Sequence, residues 1–115
     1  MNVLLTGGAG FIGHHIIEHI LDNTDWNVTS LDRLDFSGNL NRIQEIMKDR
    51  DDKHRVRVIH HDLRAAISPH LAEVLGDVNI ILHVAAASHV TRSISFPMEF
   101  VENNVVGTVN LLEYA

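Results

Sequence analysis

Glycine recurs at every third position in Thr6-Gly7-Gly8-Ala9-Gly10-Phe11-Ile12-Gly13, as Gly7, Gly10 and Gly13. Glycine takes positive φ without steric cost, so this run can turn sharply, and a bare backbone can come close to a phosphate. The apolar run Val3-Leu4-Leu5 precedes it, and Ile12, Ile16, Ile17, Ile20 and Leu21 follow at helical spacing. The amides of such a turn meet an anion at a helix N-terminus, where the dipole favours negative charge. Gly13 is expected to let that helix pack close to the strand. A loop of this kind that holds a pyrophosphate has an acid about 20 residues further on, at the end of the next strand. Asp32 closes Val28-Thr29-Ser30-Leu31 at that place. Its carboxylate can accept from both ribose hydroxyls and repels a 2′-phosphate. The implied chemistry is dinucleotide binding, with NAD preferred over NADP. Arg33 pulls the other way, because a guanidinium beside the acid can receive that phosphate. Asp62 can bond an adenine amino group or serve as an ordinary turn carboxylate.

Positioning these residues requires alternating strands and helices. Strands are expected at Val3–Leu5, Val28–Leu31, Val56–Ile59 and Val78–Val84, the last a nearly continuous apolar run. Between them lie a helix from Phe11 to Leu21, a short one with Leu40, Ile43 and Met47, and one from Ser68-Pro69 to Gly76. Ser68 reads as the N-cap of that third helix, with Pro69 in its first turn. Ala85–Phe96 reads as a loop. A last helix starts near Pro97 and carries Val101, Val105, Thr108, Leu112 and Ala115 on one face. The pattern predicts an α/β fold: a Rossmann-like, doubly wound parallel sheet of about four strands in the order 3-2-1-4.

Composition narrows the function further. The 115 residues are 45% hydrophobic and 21% charged, enough for one core. Lys plus Arg number 9 against 15 Asp plus Glu, for a net charge of −6, which argues against nucleic acid or an anionic membrane as the main partner. There is no cysteine, so disulfides and thiolate metal sites are excluded. The N-terminus lacks a signal-peptide pattern, and the longest near-apolar run, Ile80–Ala87, is too short for a bilayer. A soluble, cytoplasmic protein is expected.

Nine histidines invite a metal reading, and none is made. His15 and His19 are four apart on the first helix, but Glu18, the one nearby carboxylate, is expected to point elsewhere. His83 reads as a core histidine. Asp49–Asp52 reads as a solvated acidic loop. Arg92 can reach a nucleotide phosphate or form a surface ion pair.

With these segments in place, the chain resembles the extended short-chain dehydrogenase/reductase family, in its branch of NAD-dependent sugar-nucleotide epimerases and dehydratases. It looks most like the dTDP-glucose 4,6-dehydratases. The likeness is carried by the glycine loop, Leu31-Asp32-Arg33-Leu34, Ser37-Gly38-Asn39-Leu40 and His61-Asp62-Leu63-Arg64. It continues in His83-Val84-Ala85-Ala86-Ala87-Ser88-His89-Val90, Arg92-Ser93-Ile94 and Asn104-Val105-Val106-Gly107-Thr108. The resemblance implies that Phe11 and Ile12 lie at the pyrophosphate. Asp32, Arg33, Leu34 and Asp35 would surround the adenosine ribose, and Asp62 and Leu63 would meet the adenine. Val84, Ala85, Ala86, Ala87 and Ser88 would line the nicotinamide side, with Asn103 or Asn104 beside them. Ser88 and His89 would border a nucleotide-sugar substrate. Family dehydratases usually carry Glu at the position of Ala87, Asp at Thr91 and Thr at Asn103, so this chain departs from the pattern there.

The family's chemistry uses a Tyr-x-x-x-Lys pair, with transient oxidation of the sugar at C4. The single tyrosine, Tyr114, has no such lysine after it. The expectation is therefore that residues 1–115 are the N-terminal part of a NAD-binding Rossmann domain. The catalytic region and substrate domain would lie outside them, and this stretch alone would hold no catalytic residue. A non-catalytic NAD(P)-binding regulatory or remnant module is the alternative. In the order 3-2-1-4 the apolar fourth strand becomes an edge, and association into a homodimer through it or through uncovered faces is expected.

Overall fold

The apolar runs form four parallel strands in a computed structural model that describes residues 1–115. They are β1 (Asn2–Thr6), β2 (Asn27–Asp32), β3 (Val56–His60) and β4 (Ile80–His83). The sheet order is β3-β2-β1-β4, as expected. Thr6 lies opposite both Leu31 and His83, and Asp32 lies opposite His60, so the strand ends that carry the polar residues share one rim.

Alternation along β1 explains why helices cover both faces. Val3 and Leu5 join Ile17, Ile20 and Leu21 of α1 (Gly13–Asn23) and Ile43 of α2 (Leu40–Met47). Leu4 points to the other side, with Leu31 of β2, Leu75 of α3 (Pro69–Leu75) and Leu111 of α6 (Gly107–Tyr114). A strand buried on both faces carries apolar residues throughout, which is why β1 reads as an unbroken run. Each such side chain contributes about 1.5–3 kcal/mol. The third helix is built as its sequence predicts: the Ser68 hydroxyl accepts from the Leu71 amide at 3.1 Å, and Pro69 occupies the first turn.

Three expectations fail. Residues 85–96 are not all loop, because Val90–Ser95 forms the short helix α4. Its six residues carry only one apolar pair, Val90 and Ile94, and both are exposed. The final helix is not uniform: α5 (Pro97–Phe100) widens into a π-helical stretch at Val101–Val106 before α6 begins. That wider turn breaks the 3.6-residue phase. Gly107 and Leu111 face inward, while Val101, Val105 and Leu112 are exposed. Asp49–Asp52 is not simply solvated either. Asp52 pairs with Arg50 and Arg55, and Arg50 also reaches Asp22 at 2.6 Å.

Arg55 has the densest contacts of any side chain here. Its guanidinium donates to the carbonyls of Leu21 (3.2 Å), Thr24 (2.6 Å) and Trp26 (2.8 and 3.1 Å) and to Asp52 (2.7 Å). It thereby satisfies carbonyls left over at the C-terminal end of α1 and fixes the entry to β2. No helix is long and apolar enough to cross a membrane.

Candidate functional site

The sheet order reverses between β1 and β4, and open α/β sheets hold ligands beyond the strand ends at such a point. A cleft of about 610 Å³ opens there. Its floor is the glycine turn. Gly7 has φ +77°, and a Cβ on it would lie 2.9 Å from the Ala85 backbone. At Gly13 a Cβ would come within 2.0 Å of the Gly7 carbonyl oxygen, so the first turn of α1 sits directly on the loop. The Gly10 amide donates to the Gly7 carbonyl at 3.0 Å and closes the turn. The amides of Phe11 and Ile12 have no acceptor in the protein, and no side chain caps α1. They are the orphan donors of a helix start, free for an anion.

Asp32 stands across from them at the end of β2. One carboxylate oxygen accepts from the Ala9 amide at 3.0 Å and the other from the Leu34 amide at 2.7 Å. The acid thus ties the glycine loop to the next loop. Leu34 makes its half of this bond from a left-handed backbone, φ 55°, which costs a non-glycine residue about 1 kcal/mol. Its side chain packs on the core and does not line the cleft. Leu34 and Asn104, the alternative to Asn103, are not among the cleft's lining residues. All the others line the cleft together: Gly7, Gly10, Phe11, Ile12, Gly13, Asp32, Arg33, Asp35, Asp62, Leu63, Val84–Ser88, His89 and Asn103.

Arg33, Arg64 and Arg92 are each paired with an acid in the cleft. Arg33 bonds Asp35, donates to the Asn103 side-chain oxygen at 2.6 Å and lies 3.9 Å from Asp62. Burial raises the Asp35 carboxyl, but the Ser37 hydroxyl and amide and the Arg33 guanidinium outweigh it and leave it below the usual range. The Arg64 hydrogen bond likewise holds Asp62 low, against the effect of burial. Arg92 takes the ion-pair alternative, with Glu99 at 3.1 Å, and its guanidinium carbon lies 5.1 Å from the centre of the Phe96 ring.

The 84–87 wall is held by a directed chain of hydrogen bonds. Thr6 Oγ1 accepts from the amides of Val84 and Ala85, both at 3.1 Å, so its own proton goes to His83 Nδ1 at 2.7 Å. His83 then carries its proton on Nε2 and donates to Thr108 Oγ1 at 2.9 Å, and Thr108 donates to the Asn104 carbonyl. Asn104 completes the clamp by exchanging two hydrogen bonds with the Ala87 backbone. His83 is thus no core histidine: it lies on the exposed end of β4 as a neutral link, and partial burial lowers its pKa. The expectation for Glu18 also fails, because it comes 3.7 Å from His15. No three His, Asp or Glu side chains converge as metal ligands would.

Sequence reasoning did not pick out Phe36, Arg42 or Glu99, which also line the cleft. Arg42 donates to the carbonyls of Ala9 and Ser37, both at 3.0 Å. No motif marks such an arginine, because its acceptors are backbone atoms in two separate loops.

Comparison with known proteins places this geometry among relatives. The profile of the family described as GDP-mannose 4,6 dehydratase matches residues 4–115. The dTDP-glucose 4,6-dehydratase of Shigella flexneri is 41% identical over 115 residues, covering 100% of this chain and 31% of that protein. The crystal structure of the Streptomyces venezuelae dTDP-glucose 4,6-dehydratase with NAD bound superposes with a TM-score of 0.85 at 41% identity. It covers 100% of this chain, which matches 35% of that one. A UDP-glucose-4-epimerase from Stenotrophomonas maltophila, also with NAD bound, gives a TM-score of 0.84 at 27% identity, with 99% and 33% of the two chains covered. The chain spans about a third of the length of the curated relatives it matches.

Proposed function

Since the chain belongs to the GDP-mannose 4,6 dehydratase family, we propose that it is the NAD-binding N-terminal part of a longer sugar-nucleotide 4,6-dehydratase or epimerase. The observation that carries the cofactor reading is the pairing of unpartnered Phe11 and Ile12 amides with the Asp32 carboxylate in one cleft. Amides at a helix start suit a pyrophosphate, and a carboxylate oriented by two amides is placed to accept from ribose hydroxyls. NAD, when bound, supplies a hydride acceptor that the reaction cycle regenerates. The residues of this chain hold and orient it: the glycine turn keeps side chains out of the way, and the clamped 84–87 segment forms the opposite wall. Ser88 and His89, at the open end of that wall, border the nucleotide-sugar.

The test is calorimetric titration of the full-length protein with NAD. We expect Asp32→Ala to weaken binding at least about tenfold, the worth of a charged hydrogen bond. A folded wild type that takes up no NAD would overturn the reading.

The same reading has residues 1–115, taken alone, associate as a dimer through uncovered apolar surface. Val105, Val109 and Leu112 are each at least half exposed, and β4 leaves one edge unpaired. Sedimentation is expected to give twice the monomer mass, and a clean monomer at high concentration would count against this part.

A further inference from the structure

Sequence alone leaves Arg33 ambiguous, since a guanidinium next to the ribose acid can welcome a 2′-phosphate. In the structure it is not free to do so. One Asp35 oxygen is committed to the Ser37 amide and hydroxyl, at 3.0 and 2.8 Å, and the other to Arg33. The Asn103 amide nitrogen donates to the Glu99 carbonyl at 2.7 Å, which turns its oxygen toward Arg33 at 2.6 Å. The two prongs of the guanidinium are thus held by two residues 68 positions apart in sequence, whose own orientations are fixed by third partners. The other arginines around the cleft are also engaged: Arg42 with two carbonyls, Arg64 with Asp62 and Arg92 with Glu99. A 2′-phosphate arriving beside Asp32 would meet that carboxylate, and the guanidinium next to it is already paired with Asp35.

We infer that Asp35 and Asn103 are specificity-determining residues, which make the cleft reject a 2′-phosphorylated dinucleotide by withholding Arg33. This rests on the cofactor reading above and deepens it. The role of Asp32 is repulsion. The role of Asp35 and Asn103 is to keep the one guanidinium next to that acid from offsetting the repulsion.

The test measures dissociation constants for NAD and NADP by calorimetry on the full-length protein. Asp35→Asn removes the charge but keeps an oxygen for Ser37. It should shift the ratio of the two affinities toward NADP by about tenfold, the value of one charge-assisted hydrogen bond. Asn103→Ala frees the other prong without touching the 35–37 turn and should shift the ratio in the same direction. Adding Arg33→Ala to either variant should return the ratio to that of the Arg33→Ala single variant. A ratio that moves by less than about threefold in both variants overturns the inference, as does a gain that survives loss of Arg33. Failure of wild type to bind NAD overturns the cofactor reading and this inference with it, and the wild-type titration alone tells the two failures apart.

Discussion

Gly13→Ala should destabilise the protein by about 3 kcal/mol or more and abolish dinucleotide binding. The added methyl would sit 2.0 Å from the Gly7 carbonyl oxygen and 2.7 Å from the Gly8 α-carbon. Both are backbone atoms in a turn that is itself fixed by Gly7 against Ala85, so no side chain can yield. Relief requires α1 to lift off the loop, and α1 supplies Ile17, Ile20 and Leu21 to the larger core cluster. The Phe11 and Ile12 amides would move with it. Thermal unfolding and NAD titration of the same sample check both parts. A variant that melts with wild type and binds normally would mean the close approach is not needed. Gly10→Ala is the control: its methyl meets only the Gly7 oxygen, at 3.1 Å, and should cost far less.

Arg55→Ala should cost about 2–4 kcal/mol, from a different cause. The substitution leaves three carbonyls at the α1–β2 junction without this donor and leaves Asp52 with Arg50 alone, at a side chain only 13% exposed. Arg55→Lys should recover little, since a single ammonium cannot span acceptors arranged for a planar fork. Denaturant unfolding would show the loss as a lower midpoint, and a midpoint like wild type in Arg55→Lys would refute the fork argument. The same cluster gives an acid response. Arg50, opposed by burial and helped by Arg55, lowers Asp52 to about 2 from 3.8. A depressed carboxyl stabilises the fold above its unfolded value and stops doing so as pH falls through its folded value. Stability carried by Asp52 is therefore complete above about pH 4 and lost toward pH 2, and Asp52→Asn should flatten that part of the profile.

What could be read from the sequence depended on how local its cause was. The glycine turn, Asp32 and the cap at Ser68 declare themselves because each acts on residues a few positions away or at a fixed strand end. The β1 core could be read because a strand covered on both faces has no polar position to hide. Helix α4 could not, because its six residues carry a single apolar pair, Val90 and Ile94, too short a pattern to stand out from a loop. The π-helical stretch was invisible for a related reason: a continuous 3.6-residue pattern from Val101 to Ala115 looks the same whether or not the backbone keeps that pitch. His83 misled because its neighbours Ile81, Leu82 and Val84 are apolar, while its actual partners are threonines on β1 and α6. The pairing of Arg33 was out of reach altogether. Arg33 and Asn103 are 70 residues apart, and only the fold says that they meet.

The strand order also sets a schedule for synthesis. β1 leads the chain, yet it lies inside the sheet, so its two hydrogen-bonding edges are claimed at different times. β2 takes one edge early. The other stays bare until β4 emerges, about 20 residues after β3 is complete. At roughly 5–20 residues per second on the ribosome, that gap lasts about 1–4 s. Whatever the earlier strands have formed by then, the second edge of β1 has no partner to pair with until that interval has passed. The nascent protein is most vulnerable to mispairing in that interval, and the last segment to arrive both closes that edge and lays down the wall of the cleft.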